Sequence, residues 1–369
     1  MSKTFIIYIP GSSLSEFHKL SPWIQFPLTF SHFDYNSILI CGKCTISDIN
    51  NFKIHETLVR GDSTIKSIFE PFLAFKKIIS ERPDIVMISP IGSYLATVMP
   101  LMLFSKLILG KKHKTRFVLK SDWSLDYYGF PLLKKILVNT FFVLASYVFD
   151  IITVETYCGF NKAINLPIIR AKRLRRLPIG LPDDSISVER YDNGKRKNVI
   201  ICVARIAKMK DQLTLIKAFS KVSESYKDWK LILAGPVTET DYKSELEFEI
   251  RNLGIQNRVE FTGFLSETGL FELYKTASIF CLPSRFLESA GQVKNEAIGA
   301  GLPVISTDIP CRKDNEELGI IVFDAGDYDQ LSRILTKLMR DEKMRREVSA
   351  YSQTKIVSYK ELVQDLIDF

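Results

Sequence analysis

Short apolar runs rich in Ile, Val and Phe recur along this chain with helix-length segments between them, and that alternation leaves few folds open. Residues 4–9, 37–41, 84–89, 115–119 and 150–154 read as strands, and 65–80 reads as a helix between two of them. After a proline-rich stretch the rhythm restarts. Strands are expected at 198–204, 229–234, 259–262, 279–282 and 303–306, and helices at 212–223, 266–277 and 295–299. Strand and helix in alternation predict parallel sheets covered on both faces, so the expected class is α/β with two Rossmann-like domains. A chain of 369 residues is too long for one ordinary core and suits two.

The expected boundaries are 1–180, 181–355 and a closing segment 356–369. Pro167, Pro178, Pro182 and Gly180 punctuate the first junction, beside the basic cluster Arg170, Lys172, Arg173, Arg175 and Arg176. Net charge is +8 and unevenly spread. Residues 1–180 hold 23 Lys and Arg against 12 Asp and Glu, whereas residues 181–369 hold 27 against 30. A basic first half is expected to face something anionic: an acidic membrane, a phosphorylated acceptor or nucleic acid.

Residues 3–9 are too short for a secretory leader and run into Pro10-Gly11, so the six scattered cysteines are expected as reduced thiols in a cytoplasm. Cys41-Gly42-Lys43-Cys44 has the spacing of half a zinc site or a redox pair, with no second pair or His cluster beside it. Two apolar stretches, 94–109 and 136–149, fall short of the run of about 20 residues that a spanning helix needs. Pro100, Lys106 and Asn139 also interrupt them. They read either as buried helices of a Rossmann sheet or as a helix lying on the inner membrane face. In the second case Lys134 and Lys135 would sit at headgroup level and Phe141 and Phe142 in the lipid.

The densest chemistry lies in Glu288-Ser289-Ala290-Gly291-Gln292-Val293-Lys294-Asn295-Glu296, followed by Ala297-Ile298-Gly299-Ala300-Gly301-Leu302-Pro303-Val304-Ile305-Ser306. A small-residue turn leading into a helix offers free N–H groups to an anion, because the first helical N–H groups have no intrahelical partner. A carboxylate beside that anion accepts hydrogen bonds from hydroxyls of the same ligand. A ligand with phosphate in its middle and hydroxyls at both ends is a nucleotide sugar. Upstream, Arg205 and Lys210 follow an expected strand, where two fixed cations can neutralise a diphosphate as charge grows on it in leaving.

Over residues 196–340 these stretches resemble retaining glycosyltransferases of the GT-B fold, glycosyltransferase family 4; the first half shares only the rhythm. The resemblance implies two domains facing across a cleft, the first for the acceptor and the second for the nucleotide sugar, with the closing helix packed back on the first. It places Arg205 and Lys210 on the diphosphate and Glu288 at the donor-sugar hydroxyls, as nucleophile or beside a front-face path. Glu296 would grip two ribose hydroxyls, with Ser289, Ala290, Gly291 and Gln292 presenting backbone N–H groups. Phe264, in Gly263-Phe264-Leu265, would wall the base, uridine or guanosine. Ala290 replaces an aromatic often found there, and Lys294 stands where many relatives are apolar.

On the acceptor side the candidates are Gly11 and Ser12 after the first strand, then Lys120 and Asp122, with Asp122 counted in the catalytic set beside Glu288, Arg205 and Lys210. None of His18, His32, His55 or His113 has metal spacing, so no cofactor or metal is expected. The implied reaction moves a hexose from a nucleoside-diphosphate sugar to a carbohydrate or lipid-linked acceptor, in polysaccharide, lipopolysaccharide or glycolipid assembly. Nucleic acid is not an expected partner. Competing readings are a sugar epimerase, an inverting transferase, or a non-catalytic basic protein that binds membrane or nucleic acid with steep salt dependence.

Overall fold

The computed structural model describes residues 3–14, 21–46, 51–57, 64–89, 95–121, 131–183, 196–285, 291–309 and 312–369. The chain divides into two compact units, Met1–Pro182 with Ser358–Phe369, and Asp183–Val357.

The first unit is built on seven parallel strands: β1 (Lys3–Leu14), β2 (Tyr35–Cys44), β3 (Lys53–Glu56), β4 (Ile85–Ile88), β5 (Arg116–Ser121), β6 (Ile151–Val154) and β7 (Leu174–Arg176). They lie in the order β3-β2-β1-β4-β5-β6-β7. β4 and β6 are buried at every position, which is why they read as unbroken apolar runs. The expected loop at Pro10-Gly11-Ser12 instead continues β1, and the pairing of β1 with β2 is irregular between Ile9 and Ser13.

Cys41 and Cys44 both lie on β2, and their spacing of three turns the side chains to opposite faces of the strand. That geometry suits neither half a zinc site nor a redox pair. Burial, the largest cause, pushes the Cys41 thiol up to about 12. Cys41, Cys44, Cys202 and Cys281 form no disulfide, while Cys158 is disulfide-bonded, a departure from the expectation of reduced thiols throughout.

The helix Leu132–Val148 divides along its length. One side of its second half joins the core through Phe142, Ala145 and Phe149 beyond its end, with Phe142 only 2% exposed, so Phe142 is turned inward instead of toward lipid, and Phe141 is packed partly against the same core. Its first two turns are apolar and open, with Leu132 75% and Leu133 69% exposed. Among the described residues no helix is long and apolar enough to cross a membrane.

The closing helix Tyr359–Asp368 starts on a capping box formed by Ser358 and Glu361. It belongs to the first unit: the Tyr359 ring meets Phe26 edge-on at 5.5 Å, and the Arg116 guanidinium donates to the Ile367 carbonyl at 3.2 Å.

The second unit carries six parallel strands: β8 (Val199–Val203), β9 (Lys230–Ala234), β10 (Val259–Gly263), β11 (Ile279–Leu282), β12 (Val304–Thr307) and β13 (Ile321–Phe323), in the order β10-β9-β8-β11-β12-β13. Alternation along β8 makes the two cores. Ile200 and Cys202 join Leu215, Phe219 and Leu335 on one face, while Val199, Ile201 and Val203 join Tyr274, Phe280 and Ala297 on the other. Strand order reverses between β8 and β11, and ligands of such sheets bind beyond the carboxyl ends of the strands at that point.

Candidate functional site

Two loops flank this reversal, one leaving β8 and one leaving β11. After β8 the chain passes exposed Arg205 and a single 3-10 turn, Lys208–Lys210. Asp211 follows in the left-handed conformation, φ 48°, before the helix Gln212–Ser223. That backbone region is unfavourable for an L residue by about 1–2 kcal/mol, and Asp tolerates it through local hydrogen bonds. Here the Asp211 carboxylate accepts from the Thr214 hydroxyl at 2.7 Å and from Arg285 Nε at 3.0 Å.

Arg285, on the loop after β11, also donates its backbone N–H to the Met209 carbonyl at 3.0 Å. The Gln212 amide donates to the Arg205 carbonyl at 2.8 Å. The cation-bearing loop is thereby closed on itself and tied across the reversal to the segment that runs, three residues later, into Glu288. The Arg205 guanidinium lies 3.6 Å from the Met209 sulfur, and Lys210 ends the 3-10 turn half-buried.

The neighbouring strand ends are open. Phe264, just past β10, is 56% exposed. Gly235, just past β9, has φ +143° and lies so near β8 that a Cβ would stand 2.1 Å from the Ala204 carbonyl oxygen. Its N–H donates to the Gly263 carbonyl at 2.9 Å. Gly235→Ala should therefore lower the unfolding free energy by about 3 kcal/mol through backbone strain and overpacking. Urea unfolding measures it, and a loss below about 1 kcal/mol would mean that the two loops spread at little cost.

The helix Gln292–Gly299 begins on Gly291, whose φ of +72° suits glycine. Glu296, on its second turn, accepts from the Tyr274 hydroxyl at 3.0 Å and from the Gln292 side chain. Burial holds the Glu296 carboxyl above its ordinary value, the Tyr274 and Gln292 hydrogen bonds oppose that, and nearby Glu267 adds to it. Tyr274 is raised well above its ordinary value, chiefly by burial and then by the Glu296 charge.

Arg205, Lys210, Phe264, Gly291, Gln292 and Glu296 thus lie on loops and helix turns of one unit, whereas Glu288, Ser289, Ala290 and Asp122 lie outside the described residues. In the other unit Ser12 and Lys120 are the acceptor-side candidates whose side chains are described. The Ser12 hydroxyl is buried and donates to the Ile9 carbonyl at 2.8 Å, beside Gly11 within β1. Lys120 is buried in an ion pair with Glu155, at the ends of β5 and β6. Among the described residues no group of three or more His, Cys, Asp and Glu is placed to hold a metal.

Sequence reasoning missed Arg285, Tyr274, Asp211 and Gly235. A glycine directly after an apolar strand was a signal for Gly235. Nothing in sequence spacing brings Arg285 to Asp211 or Tyr274 to Glu296, since each pair meets only through the order of the strands.

Two parallel, doubly wound sheets, each with its own reversal, define the class, and the fold is that of the GT-B glycosyltransferases. Residues 185–355 match the family described as Glycosyl transferases group 1. An uncharacterized glycosyltransferase of Methanocaldococcus jannaschii is 28% identical over 280 residues, which is 71% of this chain and 65% of that protein. A phosphatidyl-myo-inositol mannosyltransferase of Mycobacterium leprae is 28% identical over 144 residues, 38% of this chain and 37% of that one. The chain thus spans less than two thirds of the length of either. Anabaena HepE, solved in complex with UDP and glucose, shares the fold with a TM-score of 0.72 at 15% identity, over 99% of this chain and 98% of its own.

Proposed function

We propose that this chain is a retaining glycosyltransferase of glycosyltransferase family 4, which moves a hexose from a nucleoside-diphosphate sugar to a carbohydrate or lipid-linked acceptor. The observation that carries the proposal is the clasp at the strand reversal of the second unit. There Asp211 and the Met209 carbonyl accept from Arg285, which ties the loop bearing Arg205 and Lys210 to the start of the loop leaving β11. The bond between the anomeric carbon and the diphosphate oxygen breaks with its electron pair going to that oxygen. Arg205 and Lys210 meet the charge that grows there, the work a metal ion would otherwise do, so the reaction is proposed to need no metal.

An acceptor hydroxyl forms the new bond to the anomeric carbon and its proton passes to the departing diphosphate, giving nucleoside diphosphate and glycoside. Glu288 lies along the donor sugar and Glu296 takes two ribose hydroxyls, which a carboxylate can accept at once. A phosphatidyl-myo-inositol mannosyltransferase among the relatives supports glycolipid assembly as the setting, and UDP in the HepE complex supports a nucleoside-diphosphate donor.

The test is a thermal-shift panel of UDP, GDP, ADP and their sugars, followed by the anomer of the product. A ligand that binds only the native chain at 100 times its Kd adds about 2.7 kcal/mol of stability. If no nucleoside diphosphate raises Tm, the proposal fails. An inverted product removes the retaining mechanism alone, and nucleotide release without transfer favours an epimerase.

The acceptor side is proposed to rest on an anionic bilayer at the cytoplasmic face. Leu132, Leu133, Ile136 and Leu137 form one exposed stripe on the first two turns of the helix Leu132–Val148, and Arg170 and Lys172 are exposed in the same basic unit. Each such side chain gains about 1.5–3 kcal/mol when fully removed from water. Leu133→Gln with Leu137→Gln should reduce co-sedimentation with anionic vesicles at least about tenfold. Equal binding of wild type to neutral and anionic vesicles removes the electrostatic part, and no binding at all removes the surface.

A further inference from the structure

Lys294 is 1% exposed, yet it occupies the first turn of the helix that begins on Gly291. A cation there opposes the positive end of the helix dipole, and burial strips its ammonium of water. The side chain folds back over the helix start: a Cβ on Gly291 would stand 2.5 Å from Lys294 Cε and 3.2 Å from Nζ. Glycine is therefore required at 291 twice over, once for its φ and once for the space the lysine stem takes.

The ammonium donates to Asn315 Oδ1 at 2.7 Å, and Asn315, fully buried, donates its own amide to the Thr307 carbonyl at 2.8 Å, at the end of β12. With its N–H side committed to Thr307, the amide can offer only oxygen to the lysine. A neutral side chain would serve to join these two segments. What lysine adds, as an ammonium, is a positive charge packed against Gly291, at the start of the helix whose first N–H groups would meet the donor phosphates.

We propose that Lys294 is a positioning residue for the diphosphate, shaping the Gly291 turn and adding its charge behind it. This rests on the nucleotide-sugar reading above. Its consequence is selective: the charge strengthens binding of the diphosphate and leaves the nucleoside part untouched.

The test is calorimetry on wild type, Lys294→Met and Lys294→Gln, with whichever of UDP, GDP or ADP stabilises the wild type most and with the matching nucleoside. Glutamine can keep the bond to Asn315 without the charge, so it separates the two contributions. Both variants should bind the diphosphate at least about tenfold more weakly and the nucleoside within about twofold of wild type. Unchanged diphosphate affinity, a parallel loss for the nucleoside, or failure of both variants to fold would each reduce Lys294 to a structural residue and overturn the inference. If the wild type binds no nucleoside diphosphate, the donor reading itself has failed, which is a separate outcome.

Discussion

Lys210→Ala is expected to lower kcat by about 100-fold to 1000-fold, the usual effect of removing one fixed donor aimed at charge that develops in the transition state. Its stability should stay within about 1 kcal/mol of wild type, because Lys210 is a half-exposed side chain and the bond of its backbone N–H to the Ala207 carbonyl survives the substitution. The loop keeps its shape through Asp211, Thr214, Arg285 and Gln212, none of which the substitution removes. Lys208 on the same turn is the control. It is exposed and only 3.9 Å from the exposed Glu245, a pair worth little in water, so Lys208→Ala should change kcat less than about twofold. Arg205→Ala should resemble Lys210→Ala, and the double variant should fall short of the product of the two losses, since both are proposed to act on one diphosphate. Steady-state transfer assays decide it, and wild-type turnover by Lys210→Ala would remove the charge-stabilising role.

The alternation of apolar runs was enough to read both sheets, because their central strands are buried on both faces and carry no polar interruption. The strands it missed are edges or nearly so. β3 reads Lys-Ile-His-Glu and is mostly exposed, β7 is Leu-Arg-Arg, and β13 is three residues long, too short for any period to show. The helix Leu132–Val148 misled differently. Beyond Lys134, Lys135 and a few small polar residues its composition is apolar on every side, so periodicity could not tell that Phe142 turns inward while Leu132 and Leu133 do not. For the candidate site, the sequence could single out Arg205, Lys210 and Glu296 because each lies within one stretch of chain that carries its own motif. It was silent about Arg285 and Tyr274, whose partners lie 74 and 22 residues away.

Glu296→Gln is expected to make the unliganded protein more stable and the donor complex weaker. Burial raises the Glu296 carboxyl in the folded chain, so between the ordinary carboxylate range and that raised value the folded state binds more protons than the unfolded one. Stability therefore falls as pH rises through this window, and above it the folded chain carries the full penalty of a buried charge. Glutamine carries no charge and can still accept from the Tyr274 hydroxyl, so the gain in Tm should be absent below the ordinary carboxylate range, build up as pH rises through this window and be complete above the raised value. Binding responds in the opposite sense. Two ribose hydroxyls need two acceptor oxygens, and the amide has one; losing a hydrogen bond to a charged group costs about 1.5–3 kcal/mol, a roughly tenfold to hundredfold rise in donor KM. In the wild type donor affinity should also decline as pH falls through the raised value, and in the variant it should be flat there. Tm and donor affinity followed across that pH range test both halves. A variant that is stabilised but binds donor as tightly as wild type would leave Glu296 a buried structural acid with no part in gripping the nucleotide.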